Sequence, residues 1–134
     1  MRWRSDVKMY PADFLYSKDH EWLRVEGDEA VLGITHFAQE ELGEVVYVEL
    51  PEVGQSFDAG EEIGTIESVK AVAEVYAAVA GEIVAVNEAL VEAPEKLNDD
   101  PHGDGWLVRV RPSGAVEQGE LMSAEQYQEF AETG

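Results

Sequence analysis

Apolar and polar residues alternate through most of this chain, and the period is two more often than it is helical. Met9 to Tyr16 sets Tyr10, Phe14 and Tyr16 among Pro11 and Asp13, an irregular lead that continues residues 1–9 and anchors aromatic rings. Glu21-Trp22-Leu23-Arg24-Val25 and Ala30-Val31-Leu32-Gly33-Ile34 are β-rich runs around Glu26-Gly27-Asp28-Glu29, the pattern of a hairpin. Thr35 is placed to cap a short helix through Phe37, Ala38 and Leu42, with Gly43 where a C′ glycine belongs. Glu44 to Leu50 is a third strand ended by Pro51, and 53–60 is turn material. Asn87 to Gly105 contains Pro94, Asn98-Asp99-Asp100-Pro101 and Gly103-Asp104-Gly105, a long polar connection with room for one helical turn. Trp106 to Arg111 alternates cleanly as a strand stopped by Pro112. Ser123 and Gln126 have capping-box spacing, with Met122 and Tyr127 as the hydrophobic staple. A helix over 123–133 is therefore expected, with Leu121, Tyr127, Phe130 and Ala131 towards the interior.

Between Glu61 and Ala80 two periods compete. Val69, Val72, Ala73, Tyr76, Ala77 and Ala80 fall at helical spacing, and the period by itself leaves a helix open. An internal repeat favours strands instead. Gly43-Glu44-Val45-Val46-Tyr47-Val48 and Gly81-Glu82-Ile83-Val84-Ala85-Val86 share Gly-Glu-aliphatic-Val-x-Val, and both copies alternate. Two similar halves need a segment to join them, and a hairpin with Val69-Lys70 at its tip does so. It would pair Ser68 with Ala71, Ile66 with Ala73 and Gly64 with Val75 on a face small and apolar enough to bury. Glu67/Val72 and Thr65/Glu74 would share the more solvated face. Neither tip residue is Gly, Asn, Asp or Pro, so turn chemistry does not announce the hairpin. The expected chain is mainly β, one domain over 1–134, with a short helix after the first hairpin and a helix at the C-terminus.

Composition narrows the function classes. With 134 residues, 45% of them hydrophobic, the chain can bury one core. No run approaches the roughly 18 apolar residues of a membrane helix, and the absence of cysteine removes disulfides, thiolate metal sites and cysteine nucleophiles. Met1 to Lys8 holds two arginines with no apolar stretch behind them. A cytoplasmic protein is expected, or a mitochondrial one if the source is eukaryotic. The net charge is −20 and uneven: residues 1–24 hold five bases and four acids, residues 25–134 four bases and 25 acids. Nucleic acids and anionic membranes need cations facing phosphates and are poor partners for such a chain. An acidic surface suits solubility and steering towards basic patches on proteins.

His20, His36 and His102 among many carboxylates raise a metal-dependent hydrolase, yet no pair has ligand spacing such as His-Glu-x-x-His. No nucleophile elbow, phosphate loop or dinucleotide fingerprint is present. Lys70 is different. It is the only lysine or arginine between Arg24 and Lys96, and residues 25–95 hold 17 acids. Most lone lysines are ordinary solvated charges. An amine at a hairpin apex is also accessible to a modifying enzyme, which suits a covalently attached group carrier.

Glu67-Ser68-Val69-Lys70-Ala71 resembles the lipoyl-attachment motif of the glycine cleavage H-protein family. Tyr16-Ser17-Lys18-Asp19-His20-Glu21-Trp22 resembles that family's N-terminal signature. Gly33-Ile34-Thr35, Ala38-Gln39, the run from Leu42 to Pro51 and Gly105-Trp106 follow in the family's order, so the likeness extends from Tyr10 to Tyr127. Lipoyl domains of 2-oxo acid dehydrogenases usually show Asp-Lys-Ala and biotin carriers Met-Lys-Met, and Val69-Lys70-Ala71 fits neither as well. His36-Phe37 departs from the family pattern, away from the attachment motif.

The resemblance implies a hybrid barrel-sandwich of two antiparallel sheets related by a pseudo-two-fold, with Lys70 on an exposed hairpin and lipoate in amide linkage to it. It implies a lipoate-attaching enzyme, a pyridoxal-phosphate glycine decarboxylase that loads an aminomethyl group, and a tetrahydrofolate-dependent aminomethyltransferase that removes it. A dihydrolipoamide dehydrogenase would reoxidise the arm with NAD. The protein itself would be a non-catalytic, monomeric shuttle. A surface cleft would shelter the loaded arm, with Glu21 and His20 placed there by motif position and Glu41 and Glu74 by weaker correspondence. For Glu21 the alternative is one more solvated acid at a strand start. The nearest rival function is a relay that donates lipoyl groups to other lipoyl domains; the distant one is the metal hydrolase.

Overall fold

Two antiparallel sheets face each other across the main core. The computed structural model describes residues 10–113 and 121–133, so the 1–9 lead lies outside the described residues. The larger sheet has six strands: β1 (Leu15–Tyr16), β2 (Glu21–Glu26), β3 (Glu29–Ile34), β5 (Ser56–Phe57), β8 (Gly81–Val86) and β9 (Val108–Pro112), in the order β1-β2-β3-β9-β8-β5. The smaller contains β4 (Val45–Glu49), β6 (Glu62–Ser68) and β7 (Val72–Tyr76), in the order β4-β6-β7. The described residues also form four helices: α1 (His36–Leu42), α2 (Ala89–Glu92), α3 (Glu95–Asp99) and α4 (Ala124–Thr133). Among the described residues no strand pairing joins the sheets, so the sandwich is not closed into a barrel. The two copies of the repeat become β4 and β8, one in each sheet.

Leu32, Ile83, Val108 and Val110 from the larger sheet meet Val48, Ile66 and Val75 from the smaller in this core. A second cluster lies on the other side of β2 and β3, where Tyr10, Phe14, Tyr16, Trp22, Val31 and Tyr127 are buried together. The Tyr16 and Tyr127 rings stack with centroids 4.9 Å apart. Strands β2 and β3 are thus covered on both faces, and Glu21, Trp22 and Leu23 are consecutively buried. The Trp22 indole lies against Gly33, where a Cβ would come within 2.6 Å of the ring.

Local signals worked as their chemistry requires. Thr35 Oγ1 accepts from Ala38 N at 3.2 Å, and Gly43 ends α1 at φ +80°. Ser123 and Gln126 exchange the two capping-box hydrogen bonds, at 3.0 and 3.2 Å. The β6–β7 hairpin has the expected register: Glu67 pairs with Val72, Ile66 with Ala73, Thr65 with Glu74 and Gly64 with Val75.

Several expectations are corrected. Ala71 is exposed rather than buried, because it follows the tip and lies past the end of the covered face. The lead and the 53–60 turn each contain a two-residue strand, β1 and β5, held by β2 and β8. The polar connection folds into α2 and α3 rather than one turn, because Leu90 and Leu97 are fully buried. Each such burial contributes about 1.5–3 kcal/mol. Pro112 does not stop β9 but pairs with Gly81. Pairing with β3 ends at Val110, so the missing N–H costs no ladder bond on that side.

Candidate functional site

Ser68 makes the hairpin tip possible without a turn-forming residue in it. Its Oγ accepts from Lys70 N at 3.3 Å and from Ala71 N at 3.0 Å, a side-chain turn that takes over the work of a glycine or asparagine. Ser68 N closes the tip on Ala71 O at 2.8 Å, and Val69 N bonds Glu44 O at 3.0 Å, tying the tip to the start of β4. Lys70 is exposed. Its stem runs past Gly43, where a Cβ would sit 3.4 Å from Lys70 Cε. The C-terminus of α1 therefore lies beside the lysine, and the negative end of the helix dipole favours a cation there.

Asn98 of α3 braces this corner. Its Nδ2 donates to Gln39 Oε1 at 2.9 Å and to Gly43 O at 2.7 Å, while Oδ1 accepts from Val45 N at 2.9 Å. One side chain thus satisfies the end of α1 and the entry to β4, the backbone on which the tip rests.

Glu21 lies at the other end of β7. It is 2% exposed; Oε2 accepts from Tyr76 N at 2.7 Å and Oε1 from Ser17 Oγ at 3.2 Å. Burial pushes its carboxyl from 4.5 up to about 8, partly opposed by the Tyr76 hydrogen bond. Glu21 lines a cleft of about 730 Å³ together with Ser17, Gly60, Ala77, Leu121 and Gln126. From Tyr76 to Lys70 the strand and tip cover about 20 Å, well beyond a lysine side chain.

Of the other residues expected at this cleft, none lines it. His20 adopts a left-handed conformation, φ 66°, and its ring turns to Phe37, Phe130 and Tyr127. Its Nδ1 and the Tyr127 hydroxyl are 2.7 Å apart, as are that hydroxyl and Thr35 Oγ1. Burial lowers the His20 pKa against the pull of Asp19 and Glu41. Glu41 is thus close enough to act on His20, while Glu74 lies on the outer face of the hairpin and accepts from the Tyr76 hydroxyl at 3.1 Å. The four come to one region but not to one cavity. Ser17, Tyr76 and Asn98 were missed as contributors. Ser17, four residues before Glu21 and bonded to its backbone N–H, carried a legible turn signal; Asn98 carried none. His36 and His102 meet through His36 N and His102 Nε2 at 3.3 Å, and the described residues contain no group of three or more His, Asp or Glu that could hold a metal ion. No helix among them is long and apolar enough to cross a membrane.

Fold and tip together define a β scaffold that presents a single lysine. The glycine cleavage H-protein family matches residues 14–134. Glycine cleavage system H proteins of Rubrobacter xylanophilus and Bacillus subtilis are 59% and 52% identical to this chain. The first alignment covers 87% of this chain and 90% of that protein, the second 91% and 96%. The crystal structure of a glycine cleavage system H protein from Mycobacterium marinum superposes with a TM-score of 0.82 at 42% identity, covering 89% of this chain and 96% of that one. The chain belongs to the glycine cleavage H-protein family.

Proposed function

We propose that the chain is the lipoyl-carrying shuttle of a cytoplasmic glycine cleavage system, with lipoate in amide linkage to Lys70. It would take an aminomethyl group from a pyridoxal-phosphate glycine decarboxylase to a tetrahydrofolate-dependent aminomethyltransferase, and return through a dihydrolipoamide dehydrogenase. The observation that carries this reading is the exposed lysine on a two-residue tip. The residues present fit the group: the stem passes over Gly43, which has no side chain to crowd it, and no ion pair among the described residues holds the amine back. When bound, lipoate supplies the dithiolane that accepts and releases the carried group.

The chain's own residues present, shelter and stay out of the chemistry. Ser68, Glu44 and Asn98 fix the tip so that Lys70 faces outward. Lys70 and the cleft are separated along β7 by more than a bare side chain spans, so the lysine amine does not itself reach the cleft. At the cleft Glu21 holds its proton while the site is empty, because its carboxylate is costly to bury. A cationic amine arriving there would favour the ionised form and pair with it, keeping the carried group from loss to water.

The test is enzymatic acylation. The full chain, incubated with a lipoate–protein ligase, lipoate and ATP, should gain one lipoyl group, mapped to Lys70, and Lys70→Arg should gain none. Modification at Lys18 or Lys96 in the unaltered chain would overturn the assignment.

A further inference from the structure

The outer face of the smaller sheet carries an unusual surface. Of seven large apolar side chains exposed among the described residues, four gather at the Lys70 end of this sheet: Val46, Tyr47, Val69 and Val72, at 45, 50, 67 and 59%. Register explains it. Tyr47, Glu67 and Val72 are cross-strand partners and form one outward row. A bulge between Val45 and Tyr47 breaks the alternation of β4, so Val46 and Tyr47 are both exposed. Val69 stands at the tip itself. Behind this apolar group come two acidic rows, Glu49-Thr65-Glu74 and then Glu62-Tyr76. None of Glu49, Glu62, Glu67 and Glu74 has an ion pair among the described residues. Arg24, Arg109 and Arg111 instead pair with Glu26 and Glu29 on the larger sheet, across the core.

We propose that this face is the docking surface for the enzyme that acylates Lys70. Val46, Tyr47, Val69 and Val72 seat in an apolar pocket of that enzyme, and Glu49, Glu62 and Glu74 meet a row of its lysines or arginines. The inference rests on the function proposed above. An enzyme that acts on the lysine amine has to bring its active site to the tip, and so covers the apolar group around it. Exposed apolar patches of this kind mark interaction sites, and an unpaired acidic margin selects a basic partner. A second copy of this chain is a poor occupant, since it would set these acidic rows against each other.

The experiment compares initial rates of lipoylation of the full-length apo protein by a purified lipoate–protein ligase across substrate concentrations. Tyr47→Ser/Val72→Ser is expected to raise KM at least about tenfold with kcat unchanged, as loss of central anchor residues does. Glu49→Lys/Glu74→Lys is expected to raise KM at low salt and flatten its dependence on ionic strength. Val25→Ser/Val91→Ser removes exposed apolar groups elsewhere and should match the unaltered chain. All positions are exposed, so melting temperatures should hold. If the unaltered chain is lipoylated at Lys70 but both docking variants keep its KM and salt dependence, the docking surface falls and the carrier function stands. If the unaltered chain takes no lipoyl group, both fall. Concentration-dependent self-association that Tyr47→Ser/Val72→Ser abolishes would assign the face to a second copy and overturn the proposal.

Discussion

Replacing Glu21 with glutamine isolates the consequence of burying a carboxyl beside the cleft. The amide keeps the shape, retains an acceptor for Tyr76 N and never ionises. In the folded chain the Glu21 carboxyl titrates at about 8, against 4.5 for an ordinary glutamate. Below pH 4.5 both the folded and the unfolded chain hold this proton. Between 4.5 and about 8 the unfolded chain releases it while the folded chain does not, so stability is lost as pH rises through that window. The interval corresponds to a ceiling of about 5 kcal/mol. Urea unfolding of both proteins across pH 4.5–8.5 measures it. The Glu21→Gln curve should converge with the unaltered one at the acid end and become the more stable of the two above pH 8. A difference that stays flat across the range would refute the account, as would a carboxyl signal that titrates near its ordinary value.

Asn98→Ala removes the partner of Val45 N, Gly43 O and Gln39 Oε1 together and should cost about 2–4 kcal/mol. Hydrogen exchange at Val69 N should accelerate beyond the global loss, since its acceptor Glu44 O sits on the freed corner; exchange that tracks the global loss alone would make Asn98 a general stabiliser only. His102 is held neutral, its pKa lowered to about 4, because burial disfavours the imidazolium and the charge of His36 adds to this against the pull of Asp100; its Nε2 accepts from His36 N. The unfolded chain binds that proton first, so the fold loses about 3 kcal/mol as pH falls from 6.5 towards 4. His102→Gln keeps an acceptor without the titration, and melting curves at pH 4.5–7 should show a shallower acid loss.

What the sequence made legible follows where the forces are local. The capping residues Thr35, Gly43, Ser123 and Gln126 act within four positions of themselves, and all four perform as their chemistry indicates. The hairpin register followed from pairing small residues on one face, even though its turn was hidden in the Ser68 side chain. Long-range partners were not legible. Leu90 and Leu97 lie in a segment dominated by turn formers, and only the core above them shows why it is helical. Asn98 gave no signal because its three partners are more than fifty residues away. The motif singled out Glu21, which lines the cleft beside β7, whereas the left-handed turn at His20 sends the neighbouring side chain towards Phe37, Phe130 and Tyr127, and the motif gave no sign of that direction.

The sheet that bears the lysine has unequal margins. Along β4 the short helices α2 and α3 lie against the edge, and Asn98 takes up Val45 N. Among the described residues strand β7 pairs only with β6. An edge strand of this kind invites strands of other molecules to add and polymerise. Tyr76 N is already occupied by the Glu21 carboxyl, and an incoming strand would have to approach past the exposed Glu74. Charge and a blocked amide thus guard this margin against fibre formation, and the lysine at the tip stays in view.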